Sequence, residues 1–113
     1  MLKLKRVYEK PEKRDGKRIL IDGLWPRGLT KEKAEIDIWM KEVAPSAGLR
    51  KWFSHDPKKW TEFKKRYREE LKDKKEFLSR IKSLAKKGTV AILYGSKEER
   101  FNNANALKEF LRL

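Results

Sequence analysis

The chain has 113 residues, with 31 Lys and Arg against 17 Asp and Glu and a formal net charge of +14. It has no cysteine and one histidine, which excludes disulfides, thiolate nucleophiles, cysteine-based zinc or iron–sulfur centres and multi-histidine metal sites, so no metal or cofactor is expected. No apolar run approaches the roughly 18 residues of a membrane span, and Met1 to Arg6 lack the long apolar segment of a secretory signal, so one cytoplasmic domain over residues 1–113 is expected.

In chain order, Leu4 to Tyr8 reads as a first short strand, and Glu9 to Lys17 as a polar loop carrying Pro11 and an Asp15-Gly16 turn signal. Arg18 to Asp22 reads as a second strand, and its continuous run Ile19-Leu20-Ile21 suits a strand covered on both faces. The loop between them is longer than a tight hairpin needs and shorter than a usual crossover, so either pairing is open. Thr30 can cap a short turn. Ile36, Trp39, Met40 and Val43 then fall at helical spacing, ended by Pro45. Ser46 can cap a segment with Leu49, Trp52 and Phe53, and Asp56-Pro57 is an N-cap acid followed by proline at the first helical position.

Trp60, Phe63, Tyr67 and Leu71 form one apolar stripe, and Phe77, Leu78, Ile81, Leu84 and Ala85 form another, closed by Lys86-Lys87-Gly88. Thr89 to Tyr94 is the clearest strand. A last helix carries Phe101, Ala104, Leu107 and Leu111, with Ser96 and Glu99 spaced as a capping box before it. The expected fold is a small, helix-rich α/β domain with a three-stranded, mostly parallel sheet. Arg66 and Glu70, four apart, read as a helix-face ion pair.

The charge points two ways. A field of +14 attracts nucleic acid, phosphorylated metabolites or acidic partners; it equally describes a solvated lysine-rich surface. The absence of glutamine and the dominance of Lys and Glu resemble hyperthermophile composition. The basic runs Lys58-Lys59, Lys64-Lys65-Arg66, Lys72 and Lys74-Lys75 are most simply a solvated face, although tryptophans interleave them.

The second strand ends in Asp22-Gly23-Leu24-Trp25-Pro26-Arg27-Gly28. In open α/β sheets ligands bind outside the carboxyl ends of strands. Pro26 stiffens the turn, Gly28 permits a positive φ or a close approach, and the donors of Arg27 suit a phosphate or carboxylate. Asp22 is a candidate general base or a group that orients Arg27, so these two are the catalytic candidates; alternatively they pair to hold the loop while Trp25 fills the core. After the last strand, Ser96 and Lys97 are candidate anion ligands at a helix start, or a capping pair and nothing more. Tyr8, Trp25, Tyr94 and Asn102 complete the candidate ligand-binding set. His55, beside the capping Asp56, is a loop histidine with either a structural or a catalytic role.

These segments together resemble the YeaO-like proteins, a branch of a larger family of unassigned function. The resemblance runs nearly end to end. It is carried by Lys5-Arg6-Val7-Tyr8, Asp15-Gly16, Asp22 to Gly28, Pro45-Ser46, Leu49-Arg50-Lys51-Trp52-Phe53, His55-Asp56-Pro57, Trp60, Phe63, Arg66-Tyr67, Glu70-Leu71, Leu93-Tyr94, Lys97 and Asn102. It implies an α/β fold and no particular reaction. Two positions depart from the family pattern: Gly23 stands where an arginine is usual, and Asn103 where a histidine follows the asparagine. A cysteine–histidine–arginine motif of longer relatives is missing. The expected function is binding of, or action on, an anionic ligand at the strand ends; the alternatives are non-specific nucleic-acid binding by the basic helical face and a non-catalytic interaction module.

Overall fold

The computed structural model describes residues 1–112. At its centre lies strand β4 (Val90–Tyr94), buried along its whole length. On one side it pairs with β1 (Leu2–Arg6) and on the other with β2 (Lys17–Leu20), and β3 (Ile38–Trp39) lies outside β2. The order is β1-β4-β2-β3 and every pairing is parallel. Leu4 and Ile19 flank Ile92 in register, and Ile38 pairs with Ile19. The insertion of β4 between the first two strands settles their relation. They run parallel without touching, and segment 7–16 returns the chain from the carboxyl end of β1 to the amino end of β2.

The sheet therefore has four strands, not three. The segment from Ile36 to Val43 is not a helix: Ile38 and Trp39 pair with β2, and Lys41–Val43 form a single 3-10 turn. Ile38 is β-branched and suits a strand, and the Asp37 carboxylate and amide both bond the Arg18 backbone, at 2.8 and 2.9 Å, which fixes the extended course. Over so short a stretch the same apolar residues are buried by either conformation, so spacing does not discriminate between them. β1 and β2 also begin and end earlier than their apolar patterns suggest, which leaves Tyr8 and Asp22 in the loops beyond the strands.

One face of the sheet is covered by α2 (Ala47–Phe53), α3 (Trp60–Glu70), α4 (Lys75–Lys87) and α5 (Asn103–Leu111). Ile19, Ile21, Val90 and Ile92 meet Phe53, Phe63, Tyr67, Ile81, Leu107 and Leu111 there. The predicted caps at Thr30, Ser46 and Asp56 all form. Glu70 does not pair with Arg66. It accepts from the Ser46 amide and hydroxyl at 2.8 and 2.6 Å, while Arg66 turns to Glu62 at 2.9 Å. Gly88 follows α4 in extended backbone, φ 177°, so the left-handed glycine cap is not formed.

The opposite face is covered by loops and the single turn α1 (Lys31–Ala34). Strand alternation sends Lys5 and Arg18 to this side, away from their core-facing neighbours. Leu20, Ala91 and Leu93 pack there with Val7, Trp25, Leu29 and Ile36. Beside them the fully buried Asp15 carboxylate receives Lys3 at 2.8 Å, Lys5 at 3.1 Å, Arg18 at 2.7 Å and the Glu12 amide at 3.0 Å. Burial alone would raise the Asp15 carboxyl, but the hydrogen bonds from Lys3, the Glu12 amide, Lys5 and Arg18 win and hold it well below the usual carboxylate range. Arg18 also donates to the carbonyls of Ala34 and Glu35, at 2.9 and 3.0 Å, and so closes the end of α1.

Candidate functional site

All four strands point their carboxyl ends to one side, where the ligands of open α/β sheets bind. The segment that follows each strand reaches one cavity of about 560 Å³. Tyr8 enters after β1, Asp22 to Arg27 after β2, Pro45 after β3, and Gly95, Ser96, Asn102 and Asn103 after β4. The end of α2 closes it with Arg50, Lys51 and Phe53 to His55, over Phe63.

Asp22 is the latch between two of these loops. One oxygen accepts the Gly95 amide at 2.8 Å and the other accepts the Asn103 side-chain amide at 3.0 Å. A Cβ at position 95 would stand 3.1 Å from that carboxylate, so glycine permits the close approach. The Asp22 carbonyl in turn accepts the Trp39 indole at 2.8 Å. The Asp22 carboxylate makes no bond to Arg27.

Arg27 is presented to solvent by a stiff turn. Pro26 is buried, Gly28 takes φ +84°, and the Trp25 indole donates to the Leu29 carbonyl at 2.7 Å. The Tyr8 hydroxyl donates to the Arg27 carbonyl at 3.0 Å and ties this turn to the end of β1. Among the described residues the Arg27 guanidinium has no hydrogen-bond or ion-pair partner, and the same holds for the side chains of Arg50, Lys51 and His55. Ser54 and His55 occupy the left-handed region, φ 47° and 54°, at the cavity rim. Two successive residues there cost of order 1 kcal/mol each.

Six of the eight residues predicted for the site line this cavity: Asp22, Arg27, Tyr8, Trp25, Ser96 and Asn102. Two do not. Tyr94 turns into the core, where burial, followed by Glu99 and Glu9, raises its phenol. Lys97 is exposed outside the lining.

The capping box from Ser96 to Glu99 is not formed. α5 starts at Asn103, because Asn102 takes the cap: its oxygen accepts from the Asn105 amide at 2.9 Å and its nitrogen donates to the Glu98 carbonyl at 2.7 Å. Ser96 instead accepts from the Glu98 amide at 3.0 Å, within the loop. Asparagine is a poor helix former and a strong cap, which accounts for its place at the helix start.

Arg50, Lys51 and Ser54 join the site without any strong mark in the sequence. Only the packing of α2 against the strand ends brings them to the cavity. The sequence marks Arg50 and Lys51 only as an adjacent basic pair after the Ser46 cap and as part of the family resemblance, and it does not mark Ser54.

A larger cavity of about 960 Å³, bordered by Met1, Trp60 and Phe101, contains none of the predicted site residues, and Glu99 and Glu109 interleave its cations. On the basic helical face, Lys64 pairs with Glu109, and Arg66 and Lys59 lie over the Trp52 ring at 4.0 and 5.1 Å. Among the described residues no cluster of His, Asp or Glu is arranged to hold a metal ion.

Residues 1–113 match the family model described as the inactive DUF488-N3 subclade. The chain is 39% identical over 111 residues to the uncharacterized protein YeaO of Escherichia coli (strain K12), covering 98% of this chain and 96% of that one. It is 36% identical over 110 residues to the uncharacterized protein Rv3073c of Mycobacterium tuberculosis (strain ATCC 25618 / H37Rv), covering 97% and 92%. The uncharacterized protein Mb3100c of Mycobacterium bovis is similar to the same degree. No solved structure matches the chain.

Proposed function

The chain belongs to the inactive DUF488-N3 subclade, among uncharacterised YeaO-like proteins, and we propose that it binds an anionic ligand in the strand-end cavity without transforming it. The observation that carries this reading is a charge imbalance. Arg27, Arg50 and Lys51 line one cavity, and among the described residues the only carboxylate in its lining, Asp22, has both oxygens engaged by Gly95 and Asn103. Guanidinium groups on a fixed turn suit phosphate or carboxylate oxygens. Asp22 then acts as the latch that sets the two loops rather than as a base. The resemblance implies an arginine at position 23 and a histidine at 103; this chain has glycine and asparagine there, which suits binding without reaction.

The test is calorimetric titration with inorganic pyrophosphate at low ionic strength. Wild type is expected to bind, and Arg27→Ala and Arg50→Ala are each expected to weaken binding by about tenfold, the typical worth of a charge-assisted hydrogen bond. Unchanged affinity in both variants, or no binding by wild type, refutes the reading.

The exposed cations Lys58 and Lys65 and the net charge of +14 support a second reading, non-specific nucleic-acid binding. It predicts an affinity that falls steeply with salt and is abolished by reversing Lys58, Lys59, Lys64 and Lys65, with Arg27→Ala nearly silent.

A further inference from the structure

The strand-end cavity has a second character that the charge imbalance does not explain. Among the described residues the large apolar side chains that remain exposed are Tyr8, Leu24, Trp39 and Met1, the last bordering the larger cavity. Tyr8 and Leu24, 42% and 68% exposed, line this cavity, and Trp39 packs edge-on against a third lining residue, Trp25, with ring centroids 5.5 Å apart. In a chain with 42% charged residues, exposed apolar surface gathered at one concave site marks a ligand contact more than chance.

The apolar and cationic parts are joined. The Tyr8 hydroxyl donates to the Arg27 carbonyl at 3.0 Å, so the ring is held on the same turn that presents the guanidinium. Arg6 lies 5.1 Å over the Tyr8 ring and donates to the Ser96 carbonyl at 2.9 Å, which steadies the ring from the β4 side. Across the cavity, the His55 imidazole stands 5.9 Å from the Phe53 ring. The site thus offers flat rings on rigid supports, next to unpaired cations. A volume of about 560 Å³ lies within the range of roughly 300–1,000 Å³ that takes one small molecule.

We propose that the ligand is a planar-ringed anion of the mononucleotide class, with its phosphates on Arg27 and Arg50 and its ring against Tyr8 and Leu24. This rests on the anion-site reading and narrows it. A bare polyphosphate would leave the exposed apolar surface wet. An alkyl phosphate would have no use for rings held in fixed orientation.

Calorimetric titration of the full chain with ADP, inorganic pyrophosphate and hexyl phosphate tests this. ADP is expected to bind at least about tenfold more tightly than either of the others, the worth of one base stacked on an aromatic side chain. Leu24→Ala is expected to reduce that preference while leaving pyrophosphate affinity within about twofold, whereas Tyr8→Ala, which also frees the Arg27 turn, is expected to weaken binding of both pyrophosphate and ADP, and of ADP the more. Leu24 is exposed and caps nothing, so its variant keeps the fold even where Tyr8→Ala loosens the Arg27 turn. Pyrophosphate or hexyl phosphate binding as tightly as ADP overturns the nucleotide assignment and leaves the anion site standing. A preference for ADP unchanged in both variants overturns the placement of the ring. Failure of all three probes to bind removes both readings. A single-stranded oligonucleotide that binds far more tightly than ADP, with a steep salt dependence, overturns the mononucleotide assignment in favour of a polymer.

Discussion

Asp15 shows how one residue can anchor a whole face. It is fully buried among Lys3, Lys5 and Arg18, and removing its charge leaves Lys3 and the buried Arg18 without a counter-ion and Lys5 with Glu12 alone. Asp15→Asn is expected to cost about 3 kcal/mol, read as a lower urea midpoint; a midpoint equal to wild type would show that the cluster contributes nothing net.

The pH dependence of Asp15 has a definite sign. Its carboxyl is depressed in the folded state, so its contribution is fully present above the unfolded value of about 3.9 and is lost as pH falls below it. Lys5 has the opposite sense. Burial lowers its ammonium, but hydrogen bonds to Glu12 and Asp15 outweigh that and raise it, so its contribution is lost only at strongly alkaline pH. Acid titration of stability should therefore be shallower in Asp15→Asn than in wild type below about pH 4. In the sequence, Asp15-Gly16 reads as an ordinary turn. That the turn folds under β1 and meets two lysines and an arginine depends on strand order, which local pattern does not contain.

At the scale of elements, the junction of β2 and β4 turns on Gly16. It takes φ +65°, and a Cβ there would stand 2.0 Å from the Thr89 carbonyl oxygen, the same oxygen that accepts the Lys17 amide at 3.0 Å. Gly16→Ala must therefore strain the backbone and push β2 from its neighbour. A loss of more than about 2 kcal/mol is expected, and accelerated amide exchange should be concentrated in β2. Exchange spread evenly over the molecule would place the strain elsewhere.

Helix starts are the most legible elements. Thr30, Ser46 and Asp56 each cap where local chemistry puts them, because a cap needs only its own next few residues. The elements that local pattern misreads are those whose partner lies far along the chain. Ile38-Trp39 is a strand because β2 is there to pair with it. Glu70 turns to Ser46 because α2 is packed beside α3. Ser96 and Glu99 have the spacing of a box, but Asn102 gives α5 a better cap with its oxygen on the Asn105 amide.

For the whole molecule the charge of +14 outweighs any single surface pair. Like charges repel across the surface, and salt screens exposed charges more than buried ones. The melting temperature is expected to rise by a few degrees between about 20 and 300 mM NaCl. A fall would show that surface pairs such as Lys72–Glu69, 2.9 Å apart and well exposed, outweigh the repulsion, contrary to the small worth of such pairs.

The sequence alone determined the fold class, the central strand, the apolar stripes of α3 and α4, and the loop after β2 as the place to look. Each of these follows from composition, periodicity or a short-range cap. Only the tertiary structure decided the strand order, the fourth strand and the membership of the site. The cavity draws on the segments after all four strands and on the end of α2, stretches far apart in the chain. Asp22 and Arg27 look like a pair because they are neighbours in sequence; folding gives Asp22 to Gly95 and Asn103 and leaves Arg27 open to solvent. The physical reason is that a parallel sheet gathers its carboxyl ends on one side whatever lies between the strands, so what shares a site is set by topology, while what each residue offers there is set by its chemistry.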